Sequence, residues 1–327
     1  MIISKTPFRI SFVGGGSDLP DFYQRGYGAV VSSAIDKFVY LAIHEFFEPR
    51  YLLKYAQTES CESIEAIRHP LIRECLRVTD NRDFLEITSF ADMPSLGSGL
   101  GGSSAFSVGL IHALLAHRGR MPSHEICAAQ ACEVEIDRLK EPIGKQDQYA
   151  TAFGGMNYIR FNSDGSVHVD PIILGAEDRA ELEKRLVLFY TGVTRSAVGI
   201  LAEQRQNILS DPKRFEILCR IRDQADELRA ALVDGHFEAI GGMMHEGWLL
   251  KRQMASGVSS AHFDKLYERG RAAGAVGGKI LGAGGGGFFL FYVEPERREA
   301  LIKALGDLRH IDFRLERQGT RIIYVGD

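Results

Sequence analysis

Cysteine is scarce in this chain and follows no pattern: Cys61, Cys75, Cys127, Cys132 and Cys219 are five among 327 residues, with no C-x-x-C pair. An odd count at irregular spacing argues against a disulfide framework and a zinc ribbon, and predicts reduced thiols. Long apolar runs are missing too. The longest, near Gly287 to Val293, has the length of a strand and falls short of the roughly 20 apolar residues that span a bilayer, so no membrane association is expected. Nor is there a basic excess: the formal net charge is −4, whereas nucleic-acid binders gather lysine and arginine to release phosphate counterions. Nucleic acid is therefore not an expected partner, and any anion has to be bound locally. The opening segment, Met1 to Phe12, lacks the apolar core and small-residue cleavage site of an export signal, which predicts a cytoplasmic location.

What is present is ordinary globular composition, 45% hydrophobic and 25% charged, without low-complexity tracts. A chain of 327 residues exceeds the size at which one core stops growing, so two packed units are expected. Strands are expected at Ile2–Val13, Ala29–His44 and Phe84–Phe90, and helical spacing runs from His69 to Val78. After a glycine-rich turn, Phe106, Leu110, Ile111, Leu114 and Leu115 repeat as in an amphipathic helix over Ser103–His117. Ser123 reads as the N-cap of a helix ending before Pro142. Polar residues from Asn162 to Asp178 read as a connection, and a strand from Arg185 to Tyr190 opens a new pattern, placing a domain boundary between residues 178 and 179. Further on, helices are expected over Ala197–Ser210, Phe215–Val233, His236–Met254, Ala261–Ala273 and Pro295–Leu308, with strands at Gly278–Leu281, Phe288–Val293 and Arg321–Val325. Helices and strands mixed without regular alternation give an α+β class.

The turn Gly97-Ser98-Gly99-Leu100-Gly101-Gly102-Ser103-Ser104 joins an expected strand to an expected helix. Glycines permit positive φ and close backbone approach, and a helix start directs free N–H groups and partial positive charge at the same point, which makes an anion cradle. A capped flexible turn is the plainer reading, but four glycines and three serines in eight positions exceed what a cap requires. Gly97, Gly99 and Gly102 also satisfy G-x-G-x-x-G. That dinucleotide motif needs a parallel strand after its helix, and here a second helix follows. A Walker A loop fails because Gly278-Lys279 is followed by Ile280.

Three other segments carry chemistry. Glu133, Glu135, Asp137 and Glu141 crowd a helix end before Pro142-Ile143-Gly144-Lys145-Gln146-Asp147; carboxylates there oppose the helix dipole, as a cation site would require. A solvated acidic face paired with Arg138 and Lys140 is the alternative. Arg9 lies in an otherwise apolar strand that ends in Gly14-Gly15-Gly16-Ser17-Asp18; it needs a partner if it points inward, or lies on an edge strand if it points to solvent. Gly282 to Gly287 forms another glycine cluster between strands, readable alone as a tight hairpin.

Taken in order, the three glycine-bearing segments resemble the motifs of the superfamily named after galactokinase, homoserine kinase, mevalonate kinase and phosphomevalonate kinase (GHMP), and the match spans nearly the whole chain. Its motif P-x-x-x-G-L-G-S-S-A is similar to Pro94 through Ala105, with Gly102 standing where serine is usual. The resemblance implies ATP as a substrate and Mg²⁺ as its ion, with Gly97, Ser98, Gly99, Leu100, Gly101, Gly102, Ser103 and Ser104 on the ATP phosphates. Ser103 and Glu135 would ligate the metal, with Ser104 as the fallback serine. Asp147 becomes the catalytic aspartate and Arg9 the charge-stabilising arginine. Gly15, Gly16, Ser17 and Asp18 fall at the acceptor site. Gly282, Gly284, Gly285 and Gly286 form the third motif, packed on the phosphate loop.

Within the superfamily, Phe8-Arg9-Ile10-Ser11-Phe12 and Lys140 through Gln148 resemble the heptose 7-phosphate kinases. That branch implies a ribosomal protein S5 domain 2-like N-terminal domain (1–178) and a ferredoxin-like C-terminal domain (179–327). It also implies phosphorylation of the anomeric hydroxyl of a sugar phosphate to the 1,7-bisphosphate, for GDP-heptose and surface polysaccharide. The sugar's own phosphate would need a cation, for which Arg195 is the candidate, with a plain surface arginine as the alternative. Another sugar kinase of this fold, or a silent sensor of sugar and ATP, competes with this reading, and a homodimer is left open.

Overall fold

The computed structural model describes residues 1–94, 97–194 and 198–326. Seven strands build the first part of the chain: β1 (Ile2–Val13), β2 (Tyr27–Glu45), β3 (Tyr51–Lys54), β4 (Thr58–Cys61), β5 (Leu85–Ala91), β6 (Met156–Asn162) and β7 (Val167–Pro171). Then come β8 (Leu186–Tyr190), β9 (Ala275–Ile280), β10 (Phe288–Val293), β11 (Arg309–Ile311) and β12 (Arg321–Val325). The first sheet runs β12-β1-β2-β5-β3-β4, with β6 and β7 continuing from β2. β1 and β2 pair antiparallel from Ile2 opposite Ile43 to Val13 opposite Val31. At 19 residues, β2 serves two further neighbours: Tyr27–Ser33 pairs with β6 and Val39–Glu45 with β5.

The second sheet, β11-β8-β10-β9, is antiparallel throughout, and its aromatic cluster of Trp248, Tyr267, Phe289 and Phe291 is distinct from the main core. Two sheets with helices packed on them give the expected α+β architecture. β12 returns to pair with β1 in the first sheet, after the chain has built the second.

Strands at Ile2–Val13, Phe288–Val293 and Arg321–Val325 lie at their expected bounds. The expected connection after Asn162 instead holds β7 and the start of the helix Ala176–Arg185; Val167 and Val169 alternate with His168 and Asp170, a period-two signal too short to stand out. The helix after the glycine-rich turn, Gly102–His117, is not amphipathic, being buried continuously from Ser104 to Leu115. It lies between β1 and β2 on one side and the helices Pro70–Val78, His124–Cys132 and Gln146–Phe153 on the other, and a helix enclosed in this way reads as apolar all round. Among the described residues no helix is long and apolar enough to cross a membrane. All five cysteines are free thiols.

Candidate active site

The second and third glycine segments, far apart in sequence, meet. Gly99 and Gly101 both hold φ of +75°, so the turn enters the buried helix through left-handed backbone that glycine adopts without penalty. A Cβ on Gly99 would lie 2.5 Å from the Leu281 carbonyl oxygen, and one on Gly282 would lie 2.5 Å from the Gly99 Cα. The third cluster is thus a hairpin turn between β9 and β10 and also a surface against which the phosphate-loop candidate is pressed. Both readings of it hold.

Arg9 on β1 is 2% exposed and points inward. Its Nε and Nη2 donate to Asp147 Oδ1 at 2.8 and 2.6 Å, its Nη1 donates to the Gly99 carbonyl at 2.6 Å, and its backbone N–H donates to the Leu100 carbonyl at 3.0 Å. One residue therefore fixes both the glycine turn and Asp147. The edge-strand alternative is excluded. A third donor, Gln146 Nε2, reaches the same Asp147 Oδ1 at 3.1 Å, so Oδ1 is saturated while Oδ2 accepts no hydrogen bond among the described residues. Asp147 retains 30% side-chain exposure, and Oδ2 is its atom left open to a ligand.

Asp18 lies beside this pair. Its Oδ2 accepts from the Gln146 backbone N–H at 3.1 Å and its Oδ1 from the Gly16 N–H at 3.1 Å. Burial raises its pKa above the ordinary carboxylate value, with the nearby Asp147 charge adding to the effect. Ser17 is different: fully buried, its hydroxyl donates to the Gly14 and Ala29 carbonyls at 2.8 and 2.9 Å and accepts from the Ala29 N–H. Its oxygen is committed to holding the first glycine turn on β2. Arg195 lies outside the described residues.

The acidic cluster splits. The helix His124–Cys132 passes into a π-helical stretch, Glu133–Arg138, a wider winding often found at functional sites. There Glu135 turns inward, 1% exposed, while Glu133 pairs with Arg138 at 2.6 Å in partial solvent exposure and Asp137 and Glu141 are exposed. Glu135 Oε2 accepts from Ser104 Oγ at 3.0 Å and Oε1 from Ser107 Oγ. The serine on Glu135 is thus Ser104 and not Ser103, which is half-buried one position earlier in the helix; lining up the motif on Gly99-Leu100-Gly101 shifts the serines by one because of the added Gly102. Burial holds the Glu135 pKa up to about 7. Buried carboxylate and hydroxyl oxygens are the hard donors that Mg²⁺ takes, and that ion commonly completes its shell with water and substrate phosphate, so this donor set suits it.

Two functional candidates escaped sequence reading. Lys279, on β9 and 6% exposed, donates from Nζ to the Phe12 carbonyl at 3.1 Å, at the end of β1 just before the first glycine turn. Lys251 donates to the Ile280 and Gly282 carbonyls at 3.0 and 2.5 Å, behind the third. Neither has a carboxylate partner among the described residues. Burial, and then repulsion from Arg9, lowers the Lys279 pKa to about 7; burial and then the Lys279 and Arg9 charges lower that of Lys251. For Lys279 the available signal was a lysine inside an apolar segment; Lys251, followed by Arg252 and Gln253 at its helix end, gave no such signal. A cavity of about 420 Å³ lined by Phe153, Met156, Ile172, Arg179 and Leu315 contains none of these site residues.

The sequence matches the GHMP kinases N terminal domain over residues 66–155 and the GHMP kinases C terminal domain over residues 228–308. It is 32% identical over 317 residues to the D-glycero-alpha-D-manno-heptose 7-phosphate kinase of Campylobacter jejuni subsp. jejuni serotype O:2, covering 93% of each chain. It is 27% identical to the bifunctional fucokinase/GDP-fucose pyrophosphorylase of Arabidopsis thaliana, over 94% of this chain and 31% of that protein. A crystal structure of a D-glycero-D-manno-heptose 1-phosphate kinase from Bacteroides thetaiotaomicron superposes with a TM-score of 0.82 at 26% identity, covering 100% of both chains. With glycine turns, buried arginine and carboxylates assembled as described, and a relative this similar along nearly its whole length, the chain belongs to the GHMP kinase family.

Proposed function

We propose that this GHMP kinase transfers the γ-phosphoryl group of ATP to the anomeric hydroxyl of D-glycero-D-manno-heptose 7-phosphate, giving the 1,7-bisphosphate for a nucleotide-activated heptose used in surface polysaccharide. The observation that carries the reading is the saturated Oδ1 and open Oδ2 of Asp147, set against a glycine turn in a chain 32% identical to a heptose 7-phosphate kinase. Division of labour between residues 1–178 and 179–327 is part of the same proposal: the first supplies Arg9, Glu135 and Asp147, the second the turn that backs the phosphate loop.

Phosphoryl transfer through a loose transition state asks for alignment and charge neutralisation more than covalent help. The turn from Gly97 to Ser104 and the free N–H groups at the start of the helix Gly102–His117 would hold the phosphates. Ser104 and Glu135 would hold Mg²⁺, which when bound offsets phosphate charge. Asp147 Oδ2 would accept the hydrogen bond, and then the proton, of the attacking hydroxyl, its direction fixed by the three donors on Oδ1. Arg9 holds Asp147 in place through the two hydrogen bonds to Oδ1. Asp18 would accept from a second sugar hydroxyl.

The test is turnover with Mg-ATP across heptose 7-phosphate, heptose 1-phosphate, fructose 6-phosphate, mannose, fucose and galactose, followed by ADP release and product mass. Turnover confined to heptose 7-phosphate is expected. Preference for a neutral sugar would overturn the substrate assignment, and binding of ATP and sugar without turnover would replace the enzyme with a sensor.

A further inference from the structure

Gln146 holds a polar atom with nowhere to go. The residue is 5% exposed, and its side-chain Oε1 is buried without a hydrogen-bond partner among the described residues. Its other polar groups are engaged: Nε2 donates to Asp147 Oδ1 at 3.1 Å and the backbone N–H donates to Asp18 Oδ2 at 3.1 Å. The amide orientation is set by its neighbour, because a carboxylate only accepts, so nitrogen and not oxygen must face Asp147. Oε1 is thereby directed away from Asp147. Its surroundings are the first glycine turn: a Cβ on Gly15 would stand 3.8 Å from Oε1. The orphan acceptor therefore lies between that turn and the aspartate whose free Oδ2 awaits the reacting hydroxyl.

A buried acceptor left unpaired is disfavoured, and native folds rarely keep one without a reason. The missing partner has to be a donor arriving with the ligand. ATP presents acceptor oxygens on its phosphates, whereas a sugar presents hydroxyl donors spaced one carbon apart. We propose that Gln146 is a specificity-determining residue of the acceptor site, whose Oε1 accepts a hydrogen bond from a sugar hydroxyl neighbouring the one that is phosphorylated. The assignment rests on the sugar-kinase reading above. It gives the run Gln146-Asp147 two tasks on adjacent residues: one reads the sugar and the other activates it, joined by the Nε2 to Oδ1 hydrogen bond.

The experiment compares wild type, Gln146→Met and Gln146→Asn as full-length chains, using the sugar phosphate that wild type turns over and its monodeoxy analogues, with KM for ATP measured alongside. Methionine keeps the volume and removes the acceptor; asparagine keeps the amide and withdraws it by one methylene, and serves if the first variant does not fold. The parent sugar is expected to lose roughly 10- to 100-fold in kcat/KM in either variant, mostly through KM, as sites built to bond a hydroxyl do when one side of the bond is removed. For one deoxy analogue, variant and wild type are expected to differ far less, and KM for ATP to stay within about threefold, since a hydroxyl already absent cannot be lost twice. An equal loss on the parent and on every analogue would overturn the proposal, leaving Gln146 only as a support for Asp147; so would an unchanged kcat/KM on the parent. Failure of wild type to phosphorylate any sugar would overturn the kinase reading itself, and this assignment with it.

Discussion

Replacing Gly99 by alanine tests the contact on which the site is built. At φ +75° the new Cβ would stand 2.5 Å from the Leu281 oxygen and 2.8 Å from its carbonyl carbon. Both atoms are backbone, and the turn that carries them is held from behind by Lys251 on the Ile280 and Gly282 carbonyls and by the Gly285 N–H on the Val258 carbonyl. No rotamer change relieves the overlap. The left-handed conformation costs an alanine about 1–2 kcal/mol and a forced backbone shift about 1–3 kcal/mol more, so Gly99→Ala should destabilise by about 2–5 kcal/mol. Gly119 separates the two contributions: it holds φ +69°, and a Cβ added there would meet no atom of the described residues within 4 Å, so Gly119→Ala should show the first alone. Denaturant unfolding measures both variants, and ATP saturation should be impaired only in Gly99→Ala, because the Gly99 carbonyl also receives Arg9 Nη1. Equal destabilisation of the two variants would refute the claim that the second and third glycine segments are in closest packing.

Asp147→Asn keeps the shape and the Arg9 contact but removes the base, and kcat is expected to fall by roughly 10²- to 10⁴-fold with ATP binding nearly intact; steady-state kinetics beside nucleotide titration decides it, and wild-type-like turnover removes the assigned role. Ser104→Ala should cost at least about tenfold more activity than Ser103→Ala, because of these two adjacent serines it is Ser104 that donates to Glu135, and a reversed order would restore Ser103 as the metal serine. Glu135, with its pKa raised from 4.5 to about 7, keeps in the fold a proton that the unfolded chain has released. Without metal, that raised value costs stability as pH rises through this window, and Glu135→Gln should gain on the order of 3 kcal/mol over wild type at pH 8 and almost nothing at pH 4. Thermal unfolding in chelator at the two pH values checks this, a pH-independent difference being the adverse result.

Much of this architecture is legible in local pattern. Phe288–Val293 reads as a strand because six consecutive apolar residues lie between a glycine cluster and a proline, and it is one. The glycine turn is legible because its composition exceeds what a cap requires. Ser104 is harder, since adjacent serines in a helix differ by about 100° of rotation, and only packing against the π-helical stretch decides which meets Glu135. Ser17 shows the converse: a serine in a binding motif whose hydroxyl the backbone consumes. The helix Gln146–Phe153, unmarked by an N-cap side chain, is positioned by Asp18 on the Gln146 N–H, a contact 128 residues away in sequence. No local window contains that information.

The same limit hides the charge logic of the site. Lys279 sits in Ala275–Ile280, a strand that reads as core, and the strand is core; what the sequence cannot display is that Lys251 donates to the strand's own Ile280 carbonyl and that the Arg9 charge repels Lys279. On one flank lie three cations of which, among the described residues, only Arg9 has an acid partner, and on the other lie Glu135 and Asp18, both desolvated. Burial pushes the two lysines toward neutrality and the two carboxyls toward protonation, so each flank rests with less charge than its residues carry in water. A polyanion entering beside the lysines and a divalent cation beside Glu135 would reverse both tendencies together. Burying such groups without partners disfavours the empty fold, and the proposed metal-bound nucleotide, which would bring negative and positive charge at once, would supply the partner that each flank lacks.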